Sequence, residues 1–356
     1  MYLKSSKLKY IILILVAILA IIIVFNNIEP NESTNAIDNN GNLTVHFIDV
    51  GQADSILIQL PDNTVSLIDG GNRADSDLVV NYLKRLGISK IDYLIATHPH
   101  EDHIGGLPEI IKNFDIGNIY MPKKSANTKI FESLLTEIKN KGIKPIEGKG
   151  GIDIIKEGQL SYSIIAPNSS EYSETNEYSI VTKLEYKNTS FLFTGDAEKV
   201  SENEMIDKGY DISADILKIG HHGGRTSTTE EFLNRVNPQY AVISVEKGND
   251  YGHPHKETLE RLEKTRAKIL RTDELGTIVI VTDGESLIVN GVSTEKSITK
   301  EKTVQNEESY IGNKNTKVFH SINCSSLPKD ENRIIFSSTE EAEKAGYEPH
   351  KICVEN

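Results

Sequence analysis

His98-Pro99-His100-Glu101-Asp102-His103 places three imidazoles and two carboxylates within six residues. The apolar run Ile91-Asp-Tyr-Leu-Ile-Ala96 precedes it and reads as a buried strand. A strand ending in such a cluster offers nitrogen and oxygen ligands together, as a two-metal hydrolytic site requires. His98 and His100 are spaced to share one metal. Asp102 and His103 are spaced to hold a second, with Asp102 also a candidate for the chemistry itself. Gly105-Gly106 is expected to let the backbone turn sharply away from the site. The alternative is a solvated polar loop.

Further along, Asp196 follows the apolar strand Phe191-Leu-Phe193 in Thr194-Gly195-Asp196, where a carboxylate can bridge two metals; the other reading is a turn cap. His221 and His222 follow the apolar Ile216–Ile219. One is expected to be a ligand, and position favours His221, leaving His222 to face substrate and serve catalysis. Ser227 with Glu230 matches a capping box, which marks a helix start. Free N–H groups at such an end attract anions, so Gly223, Gly224, Arg225 and Ser227 form a candidate phosphate site, with structural capping as the alternative. His253, in Gly252-His253-Pro254-His255, is the candidate for protonating a leaving oxygen or gripping phosphate; a helix-capping surface histidine is the other reading. Asp69, after Val65–Ile68, is expected to orient the histidine loop, and Asp49 and Asp54 to support the site, a purely structural role standing equally open.

In order, Phe47-Ile-Asp49-Val-Gly51-Gln52-Ala53-Asp54, Leu67-Ile-Asp69-Gly-Gly71, the HxHxDH hexapeptide, Thr194-Gly-Asp196, Lys218-Ile-Gly-His221-His222-Gly-Gly224 and Tyr251-Gly-His253-Pro-His255 resemble the hydrolase domain of the ComEC competence family, within the metallo-β-lactamase superfamily. The resemblance covers about residues 43–290. Ala53 departs from it, since that family usually has glycine there. The resemblance implies an α/β fold, a four-layer αββα sandwich of two sheets with helices outside. Many superfamily members carry one more histidine between HxHxDH and the bridging aspartate. Residues 104–195 contain none, and Asn176 and Ser179 lie in that stretch, as in ComEC-like sequences. The first metal then takes an oxygen ligand or a water, or is held more weakly. An oxygen-richer site moves the expectation from zinc towards manganese, with both left open.

The strand patterns fit such a sandwich: Leu43–Val50, Ser55–Leu60, Val65–Ile68, Ile91–Ala96, Ile180–Tyr186, Ser190–Phe193, Ile216–Ile219, Ala241–Val245 and Thr277–Val281. Helical patterns run Asp75–Leu86, Lys129–Lys141 and Glu257–Thr265.

At 356 residues the chain has room for one large domain plus extras, and its net charge of −13 argues against coating nucleic acid by charge alone. A metal-bearing nuclease stays compatible, because bound ions supply positive charge where phosphate sits. The lysines at 123, 124, 139, 141, 144 and 149 read as solvated surface, with a basic rim as the alternative. Lys4, Lys7 and Lys9 precede the unbroken apolar run Ile11–Phe25, which with its flanks approaches the ~20 residues a bilayer needs. No small-x-small cleavage site follows, so residues 1–28 read as a cytoplasmic stub and uncleaved signal anchor. The lysines lie before the span and acids after it, putting the N-terminus in the cytoplasm and the rest outside the cell. Residues 29–42 and 293–308 read as polar linkers around a hydrolase domain at 43–292.

His320, Cys324, His350 and Cys353 form two short ligand pairs, a structural zinc site for a module at 309–356 too small for a generous core. Together with Tyr310-Ile-Gly-Asn, Phe336-Ser-Ser and Tyr347-Glu-Pro349, they resemble the Ada-type metal-binding domain. Those domains usually end Pro-Cys-x-x-Cys; His350 stands where the first of those cysteines would be. The expected whole is a membrane-anchored extracellular phosphodiesterase, foremost a DNase, in which a metal-bridged hydroxide attacks phosphorus. It uses two divalent ions (Zn or Mn), a structural Zn, a nucleic-acid substrate and no organic cofactor; oligomeric state is open. The alternatives are hydrolysis of another ester, thioester or lactam, and a surface DNA-binding protein with an inactive metal centre.

Overall fold

The computed structural model describes residues 41–289, 292–294, 310–321, 324, 327–329, 332–336, 339–351 and 353–354. The expected anchor at 1–28 lies outside the described residues, as do most of the two expected linkers. Among the described residues, no helix is long and apolar enough to cross a membrane. The chain divides into two units, Met1–Lys296 and Ser297–Asn356.

In the larger unit, one sheet runs, edge to edge, Val292–Thr294, Leu287–Val289, Ile278–Thr282, Leu43–Phe47, Ile56–Gln59, Val65–Ile68, Lys90–Ile95, Asp115–Met121 and Ile146–Glu147. The second runs Lys268–Arg271, Tyr240–Ile243, Ile216–Lys218, Thr189–Phe193, Val181–Tyr186, Leu160–Ala166 and Ile152–Glu157. Their strands are apolar on both faces because each sheet is covered twice. Ile56 and Ile58 point inward with Phe47, Ile95, Phe191 and Ile280, filling the space between the sheets. Leu57, Leu67 and Leu94 point the other way, onto the helices Ser76–Arg85, Leu107–Asn113 and Lys129–Asn140 through Val79, Leu83, Ile110 and Leu134. On the far side Leu192, Leu217 and Ala241 meet Met205, Phe232 and Leu262 of Lys199–Asp207, Glu230–Val236 and Lys256–Glu263. Each fully buried large apolar side chain contributes roughly 1.5–3 kcal/mol. The order is helix, sheet, sheet, helix, as the resemblance implied.

Val65–Ile68, Lys90–Ile95, Asp115–Met121 and Ile146–Glu147 are mutually parallel, as are Thr189–Phe193, Ile216–Lys218 and Tyr240–Ile243. Their carboxyl ends deliver Asp69, the 97–103 loop, Asp196 and His221-His222. Functional groups gather at such ends because the loops leaving them converge.

Two local expectations change. Gly105 and Gly106 have ordinary helical angles (φ −57°, ψ −43° and φ −81°, ψ −18°), so the turn does not need glycine for its dihedrals. It needs glycine for space: a Cβ on Gly106 would stand 2.1 Å from the Gly70 carbonyl oxygen, and one on Gly105 would stand 2.3 Å from the Arg73 nitrogen. The capping box at Ser227 is not formed. Thr229 is the N-cap of Glu230–Val236 and accepts from the Phe232 N–H.

The smaller unit has strands Tyr310–Asn313, Val318–Ser321, Arg333–Phe336 and Glu348–Pro349 and the helix Thr339–Lys344. Its buried cluster is Tyr310, Phe319, Phe336, Ala342, Tyr347 and Val354, a small core for an independent module.

Candidate metal centre

Asp69 anchors the site. It is fully buried, in the left-handed region (φ 58°), and accepts from Thr97 N at 2.8 Å, Thr97 Oγ1 at 2.6 Å and His103 Nδ1 at 2.8 Å. That last bond fixes the His103 tautomer and leaves Nε2 to face Asp196 Oδ2 at 3.3 Å and Asp102 Oδ2 at 3.6 Å. Asp69 thus ties the first and last residues of the 97–103 loop together.

Two groups of donors meet at Asp196. His98 Nε2 lies 2.9 Å from His100 Nδ1 and 3.9 Å from Asp196 Oδ2. On the other side, one ligand atom from each of Asp102, His103, Asp196 and His222 lies within 4.8 Å of the rest. His222 Nδ1 donates to the Ser244 carbonyl at 3.0 Å, so its Nε2 is turned to Asp102 Oδ2 (3.3 Å) and Asp196 Oδ1 (3.8 Å). The two adjacent histidines therefore exchange the places expected from position. His222 is buried in the four-donor group. His221 is part-exposed, its Nδ1 2.8 Å from Glu198 Oε1, and its Nε2 reaches Asp196 Oδ2 only at 3.9 Å. The cause is backbone geometry: both residues are left-handed (φ 48° and 52°), which turns the second ring inward.

The donor set fits divalent cations. His103 Nε2 and Asp196 Oδ1 are buried without a hydrogen-bond partner, although each points into the cluster. Burial lowers the His103 imidazole, but the carboxylates of Asp196, Asp102 and Asp69 together raise it well above its usual value. Burial pushes Asp196 up, yet His103 and His222 bring it well below the ordinary carboxylate range. The raised imidazole reports the carboxylates around it and the lowered carboxyl reports the imidazoles beside it, a tightly paired set of nitrogen and oxygen donors.

His253 lies on the wall of the same cavity (≈ 560 Å³) with Gln52, His100, Asp102 and Tyr251. Glu246 N donates to Gln52 Oε1, which leaves Gln52 Nε2 to donate to His253 Nδ1 at 3.1 Å and puts the histidine proton on Nε2. Burial, then the neighbouring His221, His222 and His255, lowers the His253 imidazole to about 4, so it is neutral at neutral pH.

Of the expected phosphate groups, the structure gathers none around the cavity. The Arg225 side chain is exposed; Ser227 is buried and its hydroxyl donates to the carbonyls of Gly220 (2.7 Å) and Gly224 (3.0 Å). Gly223 is required by its left-handed φ of 85° as well as by space, since a Cβ there would lie 2.6 Å from Pro254 Cβ, and Gly224 N donates to His221 O. The free N–H groups before the Glu230 helix are taken by the chain's own Glu202, whose carboxyl oxygens accept from Thr228 N at 2.5 Å and Thr229 N at 3.0 Å. Asp49 caps its own turn, its Oδ1 accepting from Gly51 N at 3.3 Å. Asp54 is buried against Lys218 Nζ at 2.8 Å and donates its N–H to the Asp102 carbonyl.

Sequence reading missed Thr97, Glu198, Glu202 and Lys218, but noted Ser179 in the stretch without the extra histidine. Ser179 Oγ lies 3.3 Å from His98 Nδ1 and accepts from Asp196 N, joining the two metal-facing groups. Lys218 had a legible signal, a lysine inside the apolar Ile216-Leu217-Lys218-Ile219. In the smaller unit, His320 Nδ1 and Cys324 Sγ are 3.4 Å apart, Cys324 Sγ and His350 Nδ1 3.6 Å, and His350 Nδ1 and Cys353 Sγ 3.1 Å. Tetrahedral zinc with sulfur and nitrogen ligands has edges of about 3.5 Å, so these four fit a closed zinc site.

Comparison with known proteins agrees. The family description "Metallo-beta-lactamase superfamily" matches residues 48–246, and "Metal binding domain of Ada" matches residues 295–356. ComE operon protein 3 of Bacillus subtilis is 32% identical over 66% of this chain and 32% of its own length. Recombination protein 2 of Haemophilus influenzae is 30% identical over 66% of this chain and 28% of its own. Competence protein ComA of Neisseria gonorrhoeae is 27% identical over 65% of this chain and 31% of its own. The chain thus spans about a third of the length of these relatives. It belongs to the metallo-β-lactamase superfamily, as a metallo-hydrolase related to competence proteins, and carries an Ada-type metal-binding domain at its C-terminal end.

Proposed function

We propose that the chain is a metal-dependent phosphodiesterase that cleaves nucleic acid, DNA foremost. The observation that carries this reading is the convergence of two donor groups on Asp196 at the floor of an open, polar cavity. A polyanionic strand fits such a cavity better than an apolar ester does. The kinship with proteins named for competence and recombination supports DNA as the substrate.

His98, His100 and Asp196 would hold one divalent ion, with His221 beside them; Asp102, His103, Asp196 and His222 would hold the other. Bound there, the ions supply Lewis-acid charge to a phosphoryl oxygen and an activated water. The protein supplies position. Asp69 and Ser244 O set the His103 and His222 tautomers, and Ser179 ties Asp196 to His98. Neutral His253 offers its Nε2–H as a hydrogen bond to a phosphate oxygen, and with no acidic proton near neutral pH it grips rather than protonates. We further propose that residues 1–28 anchor the chain in the cell membrane, N-terminus inside and the larger unit outside.

The purified full chain, given manganese or zinc, is expected to cut labelled DNA, and Asp102→Ala or Asp196→Ala to lose that activity with the fold retained by circular dichroism. Parent-rate cleavage by either variant with unchanged metal content would falsify the two-ion reading. Binding without cleavage under every metal would favour the inactive DNA-binding alternative. External protease on intact cells tests the topology, with loss of the larger unit as the expected result.

A further inference from the structure

A second cavity, of ≈ 250 Å³, opens along the same sheet edge as the metal cluster. Lys123, Lys149 and Lys208 line it, with Glu147 as its only acid and Tyr178 and Tyr210 in its wall. Its place follows from the strand order. Lys90–Ile95, Asp115–Met121 and Ile146–Glu147 are parallel neighbours ending side by side. The histidine loop leaves the first, Lys123 follows the second, and Gly148-Lys149-Gly150 follows the third. Neighbouring strands are about 4.8 Å apart, so the cavity begins roughly 10 Å from the histidine loop. The single turn Asn176–Tyr178 serves both sites: Asn176 Nδ2 lies 3.3 Å from His221 Nδ1, and Tyr178 lines the lysine cavity.

The charge there is unusual for this chain. The protein carries −13 overall, yet the cavity wall holds three ammonium groups against one carboxylate. Some lysines, such as Lys90, Lys112, Lys183 and Lys256, pair with acids and many others do not, so what sets the cavity apart is three lysines on one wall. Among the described residues, Lys123, Lys149 and Lys208 make no ion pair, and Glu147 is within salt-bridge distance of none of them. A neighbouring lysine, Lys124, is held half-buried with its ammonium 4.5 Å over the Tyr178 ring. Three exposed lysines on one concave wall, with a single acid among its lining residues, suit an anion.

We propose that this cavity is a second phosphate subsite, holding the backbone of a nucleic-acid strand a short distance from the phosphodiester at the metal cluster. The inference rests on the nucleic-acid reading above and adds where the strand runs. It makes the enzyme prefer polynucleotides to small diesters, because only a strand reaches both places.

Strand binding and cleavage by the full chain test it. The parent, Lys123→Gln/Lys149→Gln/Lys208→Gln, and a control of equal charge change, Lys139→Gln/Lys144→Gln/Lys264→Gln, are titrated with a labelled single strand across a salt series. Inorganic phosphate and a mononucleotide are run as competitors. The cavity variant is expected to bind about tenfold more weakly and to lose about 2 from the salt slope, while the control stays near the parent. Cleavage of bis(p-nitrophenyl) phosphate should be unchanged. Competition by inorganic phosphate as strong as the strand's own binding would mean a free-phosphate site and would overturn the strand assignment. Equal strand binding by parent and cavity variant, or equal loss in the control, overturns it while leaving the phosphodiesterase reading intact if the strand is still cut. A parent that hydrolyses the small diester but neither binds nor cuts a strand overturns both this subsite and the nucleic-acid reading.

Discussion

His221 and His222 are chemically identical neighbours with different surroundings. His222 donates to a backbone carbonyl and turns its other nitrogen into the four-donor group; His221 leans on Glu198 at the edge. His222→Ala is therefore expected to lose about one ion per chain, since a metal site short of one ligand binds far more weakly. His221→Ala should retain more metal while slowing turnover. Metal analysis of the two dialysed variants checks this, and the reverse order would restore the assignment that position alone suggested. Glu202 makes a second residue-level case. Burial raises its carboxyl from the ordinary 4.5 to about 7, despite the N–H donors of Thr228 and Thr229. A raised folded-state pKa means that the neutral form stabilises the fold. That contribution is fully present below about 4.5 and is lost as pH rises through about 7. Compared with Glu202→Gln, which cannot titrate there, the parent should lose about 3 kcal/mol of relative stability between pH 4.5 and pH 8. Urea midpoints of both proteins at the two pH values measure it, and a constant difference would show that Glu202 stays charged throughout.

At the scale of elements, the loop after Lys90–Ile95 is held by close backbone contact. Gly106 N donates to Gly71 O, Gly70 N donates to His103 O, and a Cβ on Gly106 would collide with the Gly70 carbonyl. Gly106→Ala, although helical in its angles, is expected to destabilise the larger unit by about 2–4 kcal/mol through displaced backbone, and to lower metal content with it. A melting temperature and metal content equal to the parent's would show that the loop can yield. This loop illustrates what was legible. The two-sided apolar strands and the ligand hexapeptide read directly, because burial and ligation both constrain residue type. Asp115–Met121 and Ile152–Glu157 did not, since several of their positions are solvent-facing and lack a clean period. Thr229 displaced Ser227 as N-cap because the Ser227 hydroxyl is drawn to the Gly220 and Gly224 carbonyls, a tertiary choice that spacing alone does not encode. Glu202 was invisible for the same reason: a glutamate on a helix reads as solvated until the loop that it binds is placed against it.

At the scale of the whole molecule, two units carry two kinds of metal chemistry. The larger stands on three apolar clusters, whereas the smaller has a single modest one beside His320, Cys324, His350 and Cys353. Metal binding should therefore supply most of the smaller unit's folding free energy. A chelator, or Cys324→Ser/Cys353→Ser, is expected to erase hydrogen-exchange protection in 310–354 while the strands of the larger unit stay protected. Protection that persists in a metal-free tail would mean that its apolar cluster suffices alone. The left-handed pair at His221-His222 has a different kind of consequence for the molecule as a commodity. Each non-glycine residue in that conformation costs roughly 1–2 kcal/mol, a strain tolerated at functional sites because the surrounding structure enforces it. Heat-selected libraries of this protein would then drift to glycine at position 221, hardening the scaffold while dulling the site, so that durability and turnover have to be selected together.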